Sequence, residues 1–145
     1  MSAEYPENQT PSGTFKTGMD VWWGDMDALR HVNNVAYFRY FEEARVRLFR
    51  AMDLEPSKGR YCVLAHASCD FLKPLLYPAS IVVGMTLVRV GQTSIELDCW
   101  IASADNPEDR HAHGRNVLVC TDGATGRPVP WTSADRHMLA HCFSH

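Results

Sequence analysis

No apolar run in this sequence approaches the roughly 20 residues that cross a bilayer, so no membrane-spanning helix is expected. Its opening stretch, MSAEYPENQTPSGTF, lacks the apolar segment of a secretory signal. It has no C-x-x-C pair. The five cysteines, Cys62, Cys69, Cys99, Cys120 and Cys142, are odd in number, and four lie in strand-like segments. That pattern argues against a disulfide framework or a zinc ribbon and for buried free thiols in a reducing compartment, which places the protein in the cytoplasm. A strong charge of one sign is missing too. The net charge is -3, which gives no global attraction to nucleic acid or to an anionic membrane. There is no G-x-S-x-G, no G-x-G-x-x-G, no P-loop and no H-E-x-x-H, so a nucleophile elbow, a nucleotide fold and a zinc protease are all unsupported.

What is present suits one domain with a real core: 145 residues, 46% of them hydrophobic. Residues 1–13, with Pro6, Pro11 and Gly13, are expected to be a flexible arm, and residues 14–145 a single domain. Thr14 to Trp23 is strand-like until Gly24-Asp25 breaks it. A long helix follows, because Tyr37, Phe41, Ala44, Leu48 and Met52 keep the helical period. Phe38 and Phe49 widen the stripe, while Arg39, Glu43 and Arg47 pair at i,i+4 on the solvated side. At about 1.5 Å per residue the helix is roughly 27 Å long, and Pro56 prevents its continuation. Residues 61–71 alternate as a strand. Ile81 to Val90 is apolar on both faces, Gly91-Gln92-Thr93 is a tight turn, and 95–101 and 112–122 are further strands. Residues 103–111 read as a loop and 133–142 as a short helix. One helix segregated from hairpin-connected strands is α+β, with the aromatic stripe of the helix buried by a wrapping sheet. Trp22, Trp23 and the helix aromatics are expected in the core.

Chemistry-bearing residues concentrate before the helix. Asp25, Asp27, His31, Asn33 and Asn34 fall within ten residues. The first N–H groups of a helix lack internal partners and carry the positive end of its dipole. They can polarise an acyl carbonyl as an oxyanion hole does. A nearby carboxylate can attack that carbonyl or activate a water. On spacing alone, ordinary turn and capping aspartates are the better explanation of the pattern.

The run GDMDALRHVNNVAYFRYFEEAR, Gly24 to Arg45, resembles the opening of the hot-dog-fold acyl-CoA thioesterases of the 4-hydroxybenzoyl-CoA thioesterase type. The D-x-D-A-x-x-H-V-N-N-x-x-Y pattern is the specific part. DFLKPL at 70–75, VGQTS at 90–94 and DGATGRP at 122–128 extend the similarity, which covers residues 15–132. The resemblance implies a hot-dog fold, a curved antiparallel sheet of five or six strands around one long helix. It implies a homodimer or homotetramer with active sites at subunit interfaces. The implied reaction is hydrolysis of acyl-CoA thioesters. Asp27 is then nucleophile or general base, and the helix-start amide of Asn34 is the oxyanion donor. Asn33 and Tyr37 match polar positions around the thioester. His31 is placed to orient the aspartate or a water, and Trp23 to line the acyl pocket. Asp25 becomes a turn residue. No metal or redox cofactor is required, and coenzyme A arrives as part of the substrate. Where the family commonly has glycine before His31, this chain has Arg30. If the backbone there needs positive φ, Arg30 is strained; otherwise it projects toward the acyl pocket.

Two other functions fit the same residues: a thioesterase acting on an acyl carrier protein, and a non-catalytic acyl-CoA-binding module, for which Arg30 is the only motive. Of the other polar residues, His111 and His113 share a strand face, and His137 and His141 sit at i,i+4. Neither pair has further ligands nearby in sequence beyond Cys142. His66, Ser68 and Asp70 share a strand face in the order of a triad but stand about 7 Å apart per step. Lys58, Arg60, Arg89, Arg110 and Arg115 are candidates for the phosphates of coenzyme A.

Overall fold

The computed structural model describes residues 10–144. Strand β1 (Thr14–Asp20) precedes the long helix α1 (Asn34–Ala51). Strands β2 (Arg60–Phe71), β3 (Ser80–Val90), β4 (Ser94–Ser103) and β5 (Asn106–Asp122) follow, and helix α2 (Ser133–Cys142) closes the chain. The strands form one antiparallel sheet in the order β1-β3-β4-β5-β2. This is the hot-dog arrangement, with α1 against the concave face. The expected N-terminal arm lies outside the described residues as far as residue 9. Its last residue, Gly13, donates its N–H to the Phe143 carbonyl at 2.7 Å, just beyond α2.

The predicted stripe is the buried face of α1. Phe41, Ala44 and Leu48 are fully enclosed, and Tyr37 and Met52 nearly so. Tyr40, three residues after Tyr37 and four before Ala44, is buried as well. Across the interface stand Ile81, Val83 and Met85 of β3, Ile95, Leu97 and Cys99 of β4, and Leu118 and Cys120 of β5. These alternate positions of neighbouring strands face the helix, as period two requires. One buried polar contact crosses the interface, where the Arg45 guanidinium donates to Asn116 Oδ1 at 2.7 Å, and at its exposed margin Arg47 donates to the Gly18 carbonyl of β1 at 2.9 Å. The opposite sheet face carries Trp100, which lies over its register partner Gly84. A β-carbon added at Gly84 would meet that indole at 2.1 Å, so only glycine fits there.

Two expectations from the sequence fail. Residues 103–111 are not a loop. The chain reverses at Ala104 and Asp105, and β5 begins at Asn106, opposite Ser103. The polar residues that suggested a loop sit on an exposed, irregularly registered hairpin, where Arg110 stacks over Trp100 at 4.6 Å. Trp22, Trp23 and, on α1, Phe38 are not in the core: they are 64%, 76% and 40% exposed. β1 ends at Asp20, and the chain enters a single 3-10 turn at Trp23–Asp25. The alternation that would have turned one indole inward stops before it reaches them.

The second helix is tied to the sheet by an ion pair. Arg60 at the start of β2 donates two hydrogen bonds to Asp135, at 2.7 and 2.8 Å. Asp135 also accepts from the Thr132 N–H at 2.8 Å, completing a capping box. Burial opposes ionisation of Asp135, but Arg60 and the Thr132 amide outweigh it and hold the carboxyl below the usual carboxylate range. A depressed folded-state value contributes stability that is present above the unfolded value of about 4 and lost as pH falls through the folded one. The urea midpoint of the wild type should therefore drop between about pH 4 and pH 2. In Asp135→Asn the midpoint should be lower near neutrality, with a smaller drop across that range.

Candidate active site

The segment between β1 and α1 folds as a small loop clamped at its neck. Met26 and Val32 bridge in antiparallel fashion. The Asp27 N–H donates to the His31 carbonyl at 3.0 Å, and the Arg30 N–H to the Asp27 carbonyl at 3.0 Å. The Asn33 N–H reaches back to the Asp25 carbonyl at 2.9 Å. Asp27 is thus at the head of a tight turn. Its Oδ1 accepts the Leu29 N–H at 2.8 Å, an Asx arrangement that fixes the carboxylate while leaving Oδ2 available.

Arg30 completes that turn with φ of 64°. This is the left-handed region that costs a β-carbon-bearing residue on the order of 1 kcal/mol or more. The conditional expectation is met: the turn uses the glycine-favouring conformation, and arginine occupies it.

The loop is anchored by Asp25 rather than Asp27. The Asp25 carboxylate accepts from the Trp22 N–H at 3.0 Å, from the Tyr40 hydroxyl at 2.8 Å and from the Arg39 guanidinium. Burial, reinforced by the adjacent carboxylate, raises the Tyr40 phenol far above its ordinary range, so it is held as a donor. Arg39 also lies over the Tyr40 ring, 5.3 Å from its centroid. The sequence pairing of Arg39 with Glu43 gives way to this contact, and Glu43 pairs with Arg47 at 2.8 Å instead.

α1 starts at Asn34, capped by Asn33, whose Oδ1 accepts the Val35 N–H at 2.9 Å. The Ala36 N–H goes to the Asn33 carbonyl. Among the described residues no acceptor meets the Asn34 N–H, the first of the helix. The clamp between Asn33 and Asp25 holds the Asp27 turn on this helix end.

Asp27, Trp23 and Arg30 line one cleft of about 480 Å³, together with Gly24, Met26 and Tyr77. The other sequence candidates stand outside it. Asn34 is exposed at the helix start, and Asn33 is engaged in capping. His31 is half-buried beneath the turn. Tyr37 is buried edge-on against Phe71, with centroids 5.1 Å apart, and burial raises its phenol. Tyr77 has no signal in the sequence beyond its place between Pro74 and Pro78. What brings it to the cleft is a long-range contact, the Val32 N–H to the Leu75 carbonyl at 2.8 Å.

The remaining candidates are engaged elsewhere. Arg60 holds Asp135, Lys58 faces Asp53, Arg89 faces Glu96, Arg115 faces Asp98, and Arg110 covers Trp100. His111 contacts the Pro74 carbonyl and Asp109. Among the described residues no three His, Cys, Asp or Glu side chains converge as a metal cage. Burial pushes the Cys69 thiol up to about 11 and the Cys99 thiol to about 12, so neither is a thiolate nucleophile at neutral pH. The strain at Arg30 yields a test. Arg30→Gly should raise the thermal midpoint by roughly 2–4 °C, the equivalent of about 1 kcal/mol in a domain of this size, as read by calorimetry.

The profile of the thioesterase-like superfamily matches residues 21–139, which include both the clamped loop and the whole sheet from β2 to β5. The chain is 27% identical over 132 residues to the uncharacterized protein YsmA of Bacillus subtilis, covering 90% of this chain and 88% of that one. It superposes on a thioesterase candidate from Pseudomonas aeruginosa with a TM-score of 0.79 and 31% identity, over 88% of this chain and 97% of that one. A 1,4-dihydroxy-2-naphthoyl-CoA thioesterase from Synechocystis shares the fold, with a TM-score of 0.75 at 21% identity over 88% and 96% of the two chains. With its hot-dog sheet, its long central helix and a match over most of its length, the chain belongs to the thioesterase-like superfamily and is a thioesterase hydrolase.

Proposed function

We propose that the protein hydrolyses acyl-CoA thioesters and that Asp27 carries the reaction. The observation that supports this most is the pairing of a fixed carboxylate with the start of α1. One Asp27 oxygen is held by the Leu29 amide, and among the described residues the first helical N–H, on Asn34, has no acceptor. A thioester carbonyl oxygen received by that N–H is polarised by the helix dipole. Asp27 then acts in one of two ways. As nucleophile, its oxygen bonds to the carbonyl carbon, the CoA thiolate leaves, and water opens the mixed anhydride. As general base, it takes a proton from water while the hydroxide attacks, and the departing thiolate collects a proton.

Trp23 and Tyr77 serve as walls for the acyl group, and Arg30 reaches the same cleft with its charge. His31, Asn33 and Tyr37 act from around the turn, His31 and Asn33 through the backbone and the cap that fix it. No cofactor takes part in this scheme. The family implies a homo-oligomer. In support, β2 is an edge strand that exposes Val63, Leu64 and Phe71, the composition of a strand that pairs with a second copy. Free cysteines at all five positions favour a cytoplasmic setting.

The test is an acyl-CoA panel spanning short, long and aromatic acyl groups, with released CoA read by a thiol-reactive dye. Wild type should turn over at least one member. Asp27→Asn should lower that rate at least about 100-fold, the scale of a removed base or nucleophile. No release from any member, or undiminished activity in Asp27→Asn, would sink the assignment. Gel filtration of the same preparation should give at least a dimer.

A further inference from the structure

A second, larger cleft adjoins the Asp27 cleft and shares its Trp23 and Tyr77 walls. It encloses about 720 Å³ between the end of β1, the start of β3 and the β4–β5 turn. Its floor is fixed. The Val21 N–H donates to the Ala79 carbonyl at 2.9 Å, and the Ser80 hydroxyl donates to Asp20 Oδ1 at 2.6 Å, at the last register pair of β1 and β3.

Two features set its chemistry. Three aromatic rings, Trp22, Trp23 and Tyr77, stand on it with 64%, 76% and 44% of their surface exposed. Exposed large aromatics gathered on one concavity mark a recognition surface. The only charged groups lining it are two carboxylates, Asp20 and Asp105, with no Lys, Arg or His among its lining residues. Such a lining repels phosphate and attracts cations. The nearest basic groups sit in neighbouring clefts. Arg39 is neutralised by Asp25, and Arg30 lies across the shared Trp23 and Tyr77 walls. The Trp22 ring already takes a cation, since the Arg39 guanidinium is 5.0 Å from its centroid.

We infer that this cleft binds an organic ammonium group, quaternary or fully alkylated, free or as the end of a larger molecule. A compact alkylated cation satisfies both features at once. Its charge is met by the carboxylates and the π-faces, and its methyl surface by the indoles. A small metal ion would use the carboxylates and leave the rings unexplained. A neutral apolar group would use the rings and leave the carboxylates unexplained.

Two of the chain's four tryptophans line the cleft, so intrinsic fluorescence reads its occupancy without turnover. The outcome is therefore independent of the thioesterase proposal. The full chain is titrated with tetramethylammonium chloride at constant ionic strength, with sodium chloride making up the balance. A saturable change with a midpoint on the order of millimolar is expected, the range of an exposed cation–π site. Tert-butanol, neutral and of similar size, should give none. Asp105→Asn, in an exposed turn, should shift the midpoint upward about threefold, the scale of one partly screened charge. A non-saturating tetramethylammonium response, an equal response to tert-butanol, or an Asp105→Asn curve that overlays wild type would overturn the inference.

Discussion

The Asp25 carboxylate is the contact on which the site depends. It gathers a backbone amide from Trp22, a hydroxyl from Tyr40 and a guanidinium from Arg39, while its own carbonyl takes the Asn33 amide. These contacts join the 3-10 turn to the first two turns of α1. The helix is in turn locked to the sheet by its aromatic and aliphatic stripe. The position of Asp27 against the helix start is therefore inherited from the core through one carboxylate. If Asp27 carries the reaction as proposed, such a rigid mount matters, because a displacement of about 1 Å can cost on the order of 100-fold in rate. The division of labour between the two aspartates follows from their partners. Asp25 spends its oxygens on structure, whereas Asp27 accepts the Leu29 amide through Oδ1 alone among the described residues.

Much of this was legible in the sequence, for reasons that differ along the chain. The stripe Tyr37, Phe41, Ala44, Leu48, Met52 announces α1 because a helix against a sheet must bury one face. The five strands, the Gly91 turn and the short final helix are equally local patterns. The strain at Arg30 could be posed as a conditional from the resemblance alone and needed only the φ angle to resolve it. The failures lie where tertiary contacts override local pattern. Trp22 and Trp23 look like core residues because they are large and follow a strand, but β1 ends before them. The 103–111 segment looks like a loop because it is polar, but an exposed hairpin needs no apolar face. Tyr77 is invisible as a site residue, since it reaches the cleft through a hydrogen bond between Val32 and Leu75, 43 positions apart in sequence. The Tyr40 hydrogen bond to Asp25 is equally invisible, since it joins residues 15 positions apart through the folded loop.

The two clefts that share Trp23 and Tyr77 differ in sign. The Asp27 cleft carries Arg30 beside Asp27, whereas its neighbour carries Asp20 and Asp105. Arginine in a left-handed turn is a costly way to add charge, and Arg30 holds that conformation at φ of 64°.

The claim that the Asp25 contacts hold the Asp27 turn in register for the proposed reaction is tested most directly by steady-state kinetics of Asp25→Ala, with circular dichroism confirming that the variant is folded at the assay temperature. With Asp27 itself intact, the account predicts a kcat lowered at least about tenfold and a KM within about twofold of wild type, because the carboxylate is present but no longer aimed. A folded Asp25→Ala enzyme with undiminished kcat would contradict it.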